Sequence, residues 1–149
     1  MRGPIPESQV ENSAFLLSRL GFESRRRFAQ KLNAIGLRPQ HYSAMSVLAE
    51  AGAASQHYLA NTVGADPSDI VATIDHLEAR GDVERRRDPE DRRRNQVFLT
   101  AQGAETLATA RSLARATESE LLAPLGPEQR TELHALLVLM MQNTHGGWS

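Results

Sequence analysis

Apolar residues recur at helical spacing along the first half of the chain, which predicts a series of helices. The first helix is expected over residues 8–32, after an irregular start at residues 1–7 that contains glycine and proline. Residues 35–39, which contain Gly36 and Pro39, are expected to end the first helix, and a second helix is expected over residues 39–51. A short third helix covers residues 55–63. Each stripe is apolar on one face, so these helices are expected to pack on a shared core.

The fourth helix has the clearest boundaries in the sequence. Asp66 is a capping residue, Pro67 suits the first helical position, and Gly81 is expected in a left-handed conformation at the end. The inward face carries residues at positions i, i+3, i+4 and i+7, namely Ile70, Thr73, Ile74 and Leu77.

After Gly81 the apolar pattern changes to alternation, which predicts a β-hairpin. Its strands are expected over residues 83–87 and 96–99, with a polar loop between them. A long helix begins at Thr100, and a last helix covers residues 128–143. That last helix contains the run LHALLVLMM, which is apolar on nearly every side. It is therefore expected to be buried on several sides, in part by a second copy of the chain.

A short helix, a turn and a second helix followed by a hairpin form the arrangement of a winged helix-turn-helix. The predicted fold is all-α with a small β-hairpin wing, in which a winged helix-turn-helix is joined to a long-helix dimerisation region. Residues 1–36 are assigned to an N-terminal dimerisation helix, residues 37–100 to the winged module and residues 101–149 to C-terminal dimerisation helices.

The distribution of charge indicates a binding partner for this fold, because arginine is concentrated in the predicted hairpin. The 17 Lys and Arg residues nearly balance 18 Asp and Glu residues, so the protein is not basic overall. Six arginines nevertheless lie at positions 85–87 and 92–94, around an acidic Asp-Pro-Glu-Asp centre. An exposed tip of this kind fits the phosphate backbone of double-stranded DNA. The alternative is a solvated hairpin with internal ion pairs.

Two sets of residues are predicted to bind DNA, because such a module places its second helix in the major groove and its wing on the adjacent backbone or minor groove. The recognition helix contributes Ser68, Asp69, Val71, Ala72 and His76. The wing contributes Arg86, Arg87, Arg92, Arg93 and Arg94. The helix is poor in positive charge, and Asp75 is expected to pair with an arginine of the wing.

Other functional classes are weakly supported. The chain has no cysteine, and its five histidines share no i, i+3 or i+4 spacing, so no metal site is predicted. No recognised catalytic or phosphate-binding motif is present, so neither an enzyme nor a cofactor is expected. A secretory signal and a membrane span are also absent from the sequence, and cytoplasmic residence is the expectation.

The segment ADPSDIVATIDHLEARGDVERRRDPEDRRRNQVFLTAQG resembles the core signature of the MarR family of bacterial transcription regulators. The matching motifs are the Asp-Pro-Ser helix start, LEARG at its end, ERR in the first wing strand, Asp-Pro-x-Asp-Arg-Arg at the tip and LTAQG in the next helix. Asp82 departs from the pattern, because an apolar residue usually follows this glycine. The first wing strand is therefore expected to begin one position later.

The resemblance implies a homodimer with interlocked N- and C-terminal helices that binds a pseudo-palindromic operator, most often as a repressor. It also implies a small aromatic or phenolic effector that binds between the dimer helices and the winged module and releases DNA. The corresponding region contains Arg25, Phe28, His41, Tyr42 and Met45. The alternative is that these five are ordinary core and hinge residues.

A rival prediction for the whole chain is a helical dimeric interaction protein whose winged module binds protein rather than DNA. The acidic residues of the recognition helix are its main support.

Overall fold

The structure is a computed structural model that describes residues 5–91 and 94–144, and these form seven helices and three strands. The helices are α1 (Glu7–Val10), α2 (Ser13–Ala34), α3 (Pro39–Ala51), α4 (Gln56–Val63), α5 (Pro67–Arg80), α6 (Ala101–Leu121) and α7 (Pro127–Thr144). The strands are β1 (Ala54–Ser55), β2 (Val83–Arg87) and β3 (Asn95–Leu99). None of the described helices is long and apolar enough to cross a membrane.

One hydrophobic core joins five of the helices to the sheet. Its fully buried members come from α2 to α6 in turn and include Leu32, Met45, Leu59, Ile74 and Leu107. Val83 and Val97 add the inward face of β2 and β3. The prediction of a helical fold with a small β-wing is confirmed.

The first predicted helix is divided in two. The side chain of Asn12 accepts a hydrogen bond from the backbone N–H of Phe15 (3.1 Å) and begins α2, so the preceding turn is the separate α1. Gly21 lies inside α2 without ending it. The prediction of one helix over residues 8–32 was therefore wrong at its start.

The helix-turn-helix boundaries agree with the sequence in all but one detail. Ser55 begins α4 by accepting a hydrogen bond from the N–H of Tyr58 (3.1 Å). Gly64 and Gly81 end α4 and α5 with φ angles of 69° and 84°. Asp66 precedes α5 as expected, but its carboxylate makes no capping hydrogen bond, so that part of the prediction was wrong.

The sheet has three antiparallel strands in the order β1-β3-β2, rather than the two that alternation predicts. Strand β1 pairs Ala54 with Val97, and β2 pairs Arg85 with Val97 from the other side. A strand of two residues is too short to show alternation, so β1 was not predictable from the sequence. The wing is thus supported by the start of the helix-turn-helix.

Asp82 connects the wing to α6. Its carboxylate is fully buried and accepts hydrogen bonds from Arg80 Nε (2.7 Å) and Thr106 Oγ1 (2.6 Å). Strand β2 begins at Val83, as predicted. Gly103 packs so closely that a Cβ would meet the backbone carbonyl of Asp82.

Helix α7 is apolar but uncovered within one chain. The residues from Leu136 to Met141 are all exposed, and Leu139 retains 64% of its surface. The expectation that this helix is buried on several sides is not met by the single chain.

Candidate nucleic-acid interface

The exposed side of α5 has small, uncharged residues at its centre. Ile70, Thr73, Ile74 and Leu77 are buried, which turns Ser68, Val71 and Ala72 toward solvent. Asp69 is exposed beside them. These four predicted DNA-binding residues therefore share one accessible surface.

One flank of this surface is attached to the wing through Arg85. Its guanidinium donates hydrogen bonds to Asp75 Oδ1 (2.6 Å), Glu78 Oε1 (2.8 Å) and Gln56 Oε1 (2.8 Å). The expected pairing of Asp75 with a wing arginine is thus confirmed, and Arg85 is the partner. The idea that all six wing arginines face outward is wrong at this position, because only 19% of the Arg85 side chain is exposed.

The other flank is attached to the loop between α2 and α3. His76 Nε2 lies 2.9 Å from the carbonyl oxygen of Gly36, to which it donates, and its ring stacks on His41 with centroids 4.3 Å apart. Arg80 Nη1 donates to the carbonyl oxygen of Ile35 (3.0 Å). His76, predicted to bind DNA, is thus already engaged in holding α5.

His41 is held as a neutral ring in this flank. Its Nδ1 accepts a hydrogen bond from the backbone N–H of Arg38 (2.9 Å). Burial, together with the nearby positive charges of His76, Arg38 and Arg80, lowers the pKa of His41 to about 4.

The described wing arginines other than Arg85 are exposed. The guanidinium of Arg86 lies 4.6 Å from the ring centroid of Phe98 and pairs with Glu84. Arg87 is exposed at the end of β2. Arg94 Nε lies 3.7 Å from Asp91 Oδ2, and 73% of its side chain is exposed. Arg92 and Arg93 lie outside the described residues.

The predicted effector residues divide into two groups. Arg25, Phe28 and Tyr42 line one cavity of about 980 Å³ between α2, α3, α6 and α7. The two rings meet edge to face with centroids 5.1 Å apart. His41 lines a different cavity of about 460 Å³ next to His76, and Met45 is fully buried in the core.

The larger cavity also contains basic side chains that the sequence did not single out. Arg111, Arg115 and Arg130 line it together with Arg25, and so does the imidazole of His134. Their signal in the sequence was the i, i+4 spacing of Arg111 and Arg115, which places them on one face of α6. Within the block at 25–27, Arg26 and Arg27 both bind Glu23 (2.6 and 2.8 Å), whereas Arg25 lines the cavity.

The described residues offer no site for a metal ion. Across residues 5–91 and 94–144 there is no group of three or more His, Asp or Glu side chains that could hold a metal ion.

Similar sequences support a regulatory identity. Residues 35–94 match a model of the MarR family. Transcriptional regulator HosA of Escherichia coli O111:H- is 33% identical over 106 residues, which are 71% of this chain and 77% of HosA. The uncharacterized HTH-type transcriptional regulator YdgJ of Bacillus subtilis strain 168 is 32% identical over 108 residues, which are 72% of this chain and 66% of YdgJ.

Solved structures give the same result. The transcriptional repressor CouR, bound to a 23-mer DNA duplex, is 28% identical with a TM-score of 0.77, over 93% of this chain and 99% of CouR. BpsR of Bordetella bronchiseptica, whose DNA binding is regulated by 6-hydroxynicotinic acid, is 25% identical with a TM-score of 0.71, over 93% of this chain and 98% of BpsR. With its winged helix-turn-helix and these relatives, the chain belongs to the MarR family of transcriptional regulators.

Proposed function

We propose that the protein binds double-stranded DNA as a homodimer, represses transcription, and is released by a small aromatic effector. The DNA-binding proposal rests on one observation. Exposed arginines of the wing lie beside a recognition helix whose accessible central side chains are small and uncharged. Such a helix can approach base edges closely while the wing supplies electrostatic attraction.

Each set of residues has a distinct role in this proposal. Val71 and Ala72 contact thymine methyl groups, and Ser68 bonds a base edge. Asp69 accepts a hydrogen bond from a cytosine amino group, the donor that suits a carboxylate. His76 acts by holding α5 against the Gly36 carbonyl.

The wing supplies the contacts that do not depend on sequence. Arg86, Arg87 and Arg94 are exposed and bind phosphate or the adjacent minor groove. For Arg92 and Arg93 the same role is proposed from the sequence alone.

The exposed apolar face of α7 supports the homodimer. Six consecutive large apolar residues, 136–141, are exposed in one chain, and a second copy is the occupant that would bring two recognition helices to one DNA site. Residues 1–36 and 101–149 would then form the dimerisation region around the module at residues 37–100. A twofold dimer binds a pseudo-palindromic operator with half-sites about 34 Å apart.

The cation-lined cavity supports an effector that is both aromatic and anionic. Phe28 and Tyr42 offer ring surfaces, and Arg25, Arg111 and Arg115 offer charge-assisted hydrogen bonds to a carboxylate or phenolate. BpsR responds to 6-hydroxynicotinic acid, which has this chemistry. The effector weakens DNA binding only if it prefers the conformation that does not fit the operator, and a tenfold preference supplies about 1.4 kcal/mol.

The rival role, a winged module that binds protein, is less well supported at Asp75. Arg85 engages Asp75 and Glu78 within the same chain, whereas Asp69 remains exposed.

DNA binding is tested by fluorescence anisotropy with the duplex upstream of the gene and a shuffled duplex, each at ~50 and ~200 mM salt. We expect tighter binding to the upstream duplex and a steep loss of affinity at the higher salt concentration. Equal affinity for both duplexes would contradict sequence-specific regulation, and no binding to either would contradict the DNA-binding proposal.

The effector site is tested by thermal shift with a panel of aromatic carboxylates and phenols. A compound that stabilises the wild type should stabilise Arg25→Met and Arg115→Met less. It should stabilise His41→Asn undiminished, because His41 lines a different cavity. Full stabilisation of both arginine variants would place the effector elsewhere.

A further inference from the structure

We propose that Arg85 is a positioning residue for DNA binding: it contacts no DNA and instead fixes the angle between the wing and the recognition helix. This inference rests on the proposed DNA-binding function and adds to it a residue absent from the predicted contact set.

The contacts of Arg85 join three elements. From β2, its side chain reaches Gln56 at the start of α4 and both Asp75 and Glu78 on α5. Its backbone N–H donates to the second oxygen of Glu78 (3.1 Å). A guanidinium is planar and presents donors in a fixed fork, so three acceptors held at once define one orientation of the strand relative to both helices.

Exposure separates Arg85 from its neighbours in the same run of arginines. Its side chain is 19% exposed, compared with 62% for Arg86. Each of the three guanidinium nitrogens of Arg85 donates to a protein acceptor at 2.6–2.8 Å, so these bonds hold the side chain on α4 and α5 and keep it from turning toward phosphate. Arg87, two positions along the strand, is exposed and has no ion-pair partner among the described residues.

The position of the two acidic residues gives Arg85 a second effect on DNA binding. Asp75 and Glu78 are 60% and 42% exposed on the helix that enters the groove, where unpaired carboxylates would repel phosphate. Arg85 holds both toward the wing and partly neutralises them. Its removal therefore changes both the wing angle and the local charge.

Substitutions at positions 85 and 87 provide a matched test, because both remove or alter one arginine of the same strand. Arg87→Lys keeps a phosphate-binding charge and should lose clearly less affinity than Arg85→Lys. Arg85→Lys keeps the charge but not the fork, and should lose about tenfold in affinity. Arg87→Met should lower the slope of log affinity against log salt by about 0.9, the value of one phosphate contact. Arg85→Met should lose more affinity than Arg87→Met, because it releases the wing and leaves Asp75 and Glu78 unpaired.

Hydrogen exchange without DNA supplies a readout that is independent of operator binding. The amide proton of residue 85 should exchange faster in Arg85→Lys and keep its wild-type rate in Arg87→Lys, because that amide bonds to Glu78. Arg85→Lys is the milder change, so it carries the test if Arg85→Met does not fold.

The outcomes separate the two proposals. Failure of the wild type to bind any duplex contradicts the proposed function, and the positioning role is then decided by exchange alone. Wild-type DNA affinity in Arg85→Lys, an equal loss of affinity in Arg85→Lys and Arg87→Lys, or unchanged exchange at residue 85 would each overturn the positioning role.

Discussion

His41 ties the stability of the protein to pH. The folded pKa of about 4 lies below the ordinary value of 6.5, so the unfolded chain takes up a proton first as the pH falls. This group contributes no pH dependence above about 6.5, and stability is lost as the pH falls from there to about 4. We expect a loss of about 1–2 kcal/mol over this window, reduced from the full shift by solvent screening. Thermal unfolding at a series of pH values measures it.

His41→Asn is the control for this effect. The Asn side-chain oxygen can accept the N–H of Arg38 in place of Nδ1 but does not titrate. Its stability should therefore fall less than that of the wild type between pH 6.5 and 4. Parallel pH profiles for the two proteins would show that another group is responsible.

Gly103 and Gly21 are helical glycines with opposite surroundings. A Cβ at Gly103 would meet the carbonyl of Asp82 and lie 2.8 Å from a methyl of Leu99, whereas at Gly21 the nearest atom is the mobile end of Arg25 at 3.6 Å. Gly103→Ala should destabilise the protein by about 1–3 kcal/mol through overpacking. Gly21→Ala should stabilise it by about 0.5–1 kcal/mol through helix propensity. Urea unfolding measures both, and equal effects would contradict the tight packing at Gly103.

Elements with strong local signals were predictable from the sequence. Ser55, Gly64 and Gly81 define the helix-turn-helix through capping and left-handed φ, which depend on neighbouring residues only. Two features were not predictable. The break at Asn12 depends on a single side-chain hydrogen bond, and the two-residue strand β1 depends on a partner strand far along the chain.

The same contrast holds for the candidate site. The arginine-rich wing was predictable from the sequence, but the different contacts of Arg85 and Arg86 were not. Their side chains point to opposite faces of one strand, and only the fold shows what each face contacts. Arg111 and Arg115 were missed because the cavity they share with Arg25 is formed by distant segments.

The connection between α5, β2 and α6 depends on Asp82. Asp82→Ala should cost about 3 kcal/mol, because it removes the partner of Arg80 and of Thr106. Asp82→Asn keeps an oxygen for Thr106 and should cost less. Equilibrium unfolding in urea compares the three proteins. An alanine variant within about 0.5 kcal/mol of the wild type would contradict this role.

At the scale of the whole molecule, the proposed homodimer depends on the uncovered face of α7. The double variant Leu136→Glu with Leu139→Glu should sediment as a monomer at micromolar concentration and bind the operator poorly, because charged residues would be buried between the two copies. Gln142→Glu adds charge at an exposed polar position of the same helix and should remain a dimer. A wild type that sediments as a monomer would contradict the homodimer.

The close attachment of the wing to the start of α6 has a mechanical consequence. Thr100 Oγ1 donates to the Gly81 carbonyl (2.6 Å), Asp82 binds Thr106, and Gly103 packs on Asp82, so the wing base and the near end of the helix form one stiff joint. Helix α6 has 21 residues and is about 31 Å long, and its other end lines the cation-rich cavity. The helix is therefore rigidly attached to the wing, and a tilt of about 5° moves one end of the helix by roughly 3 Å relative to the other. A displacement of that size at the cavity end of α6 therefore rotates the wing by the same angle.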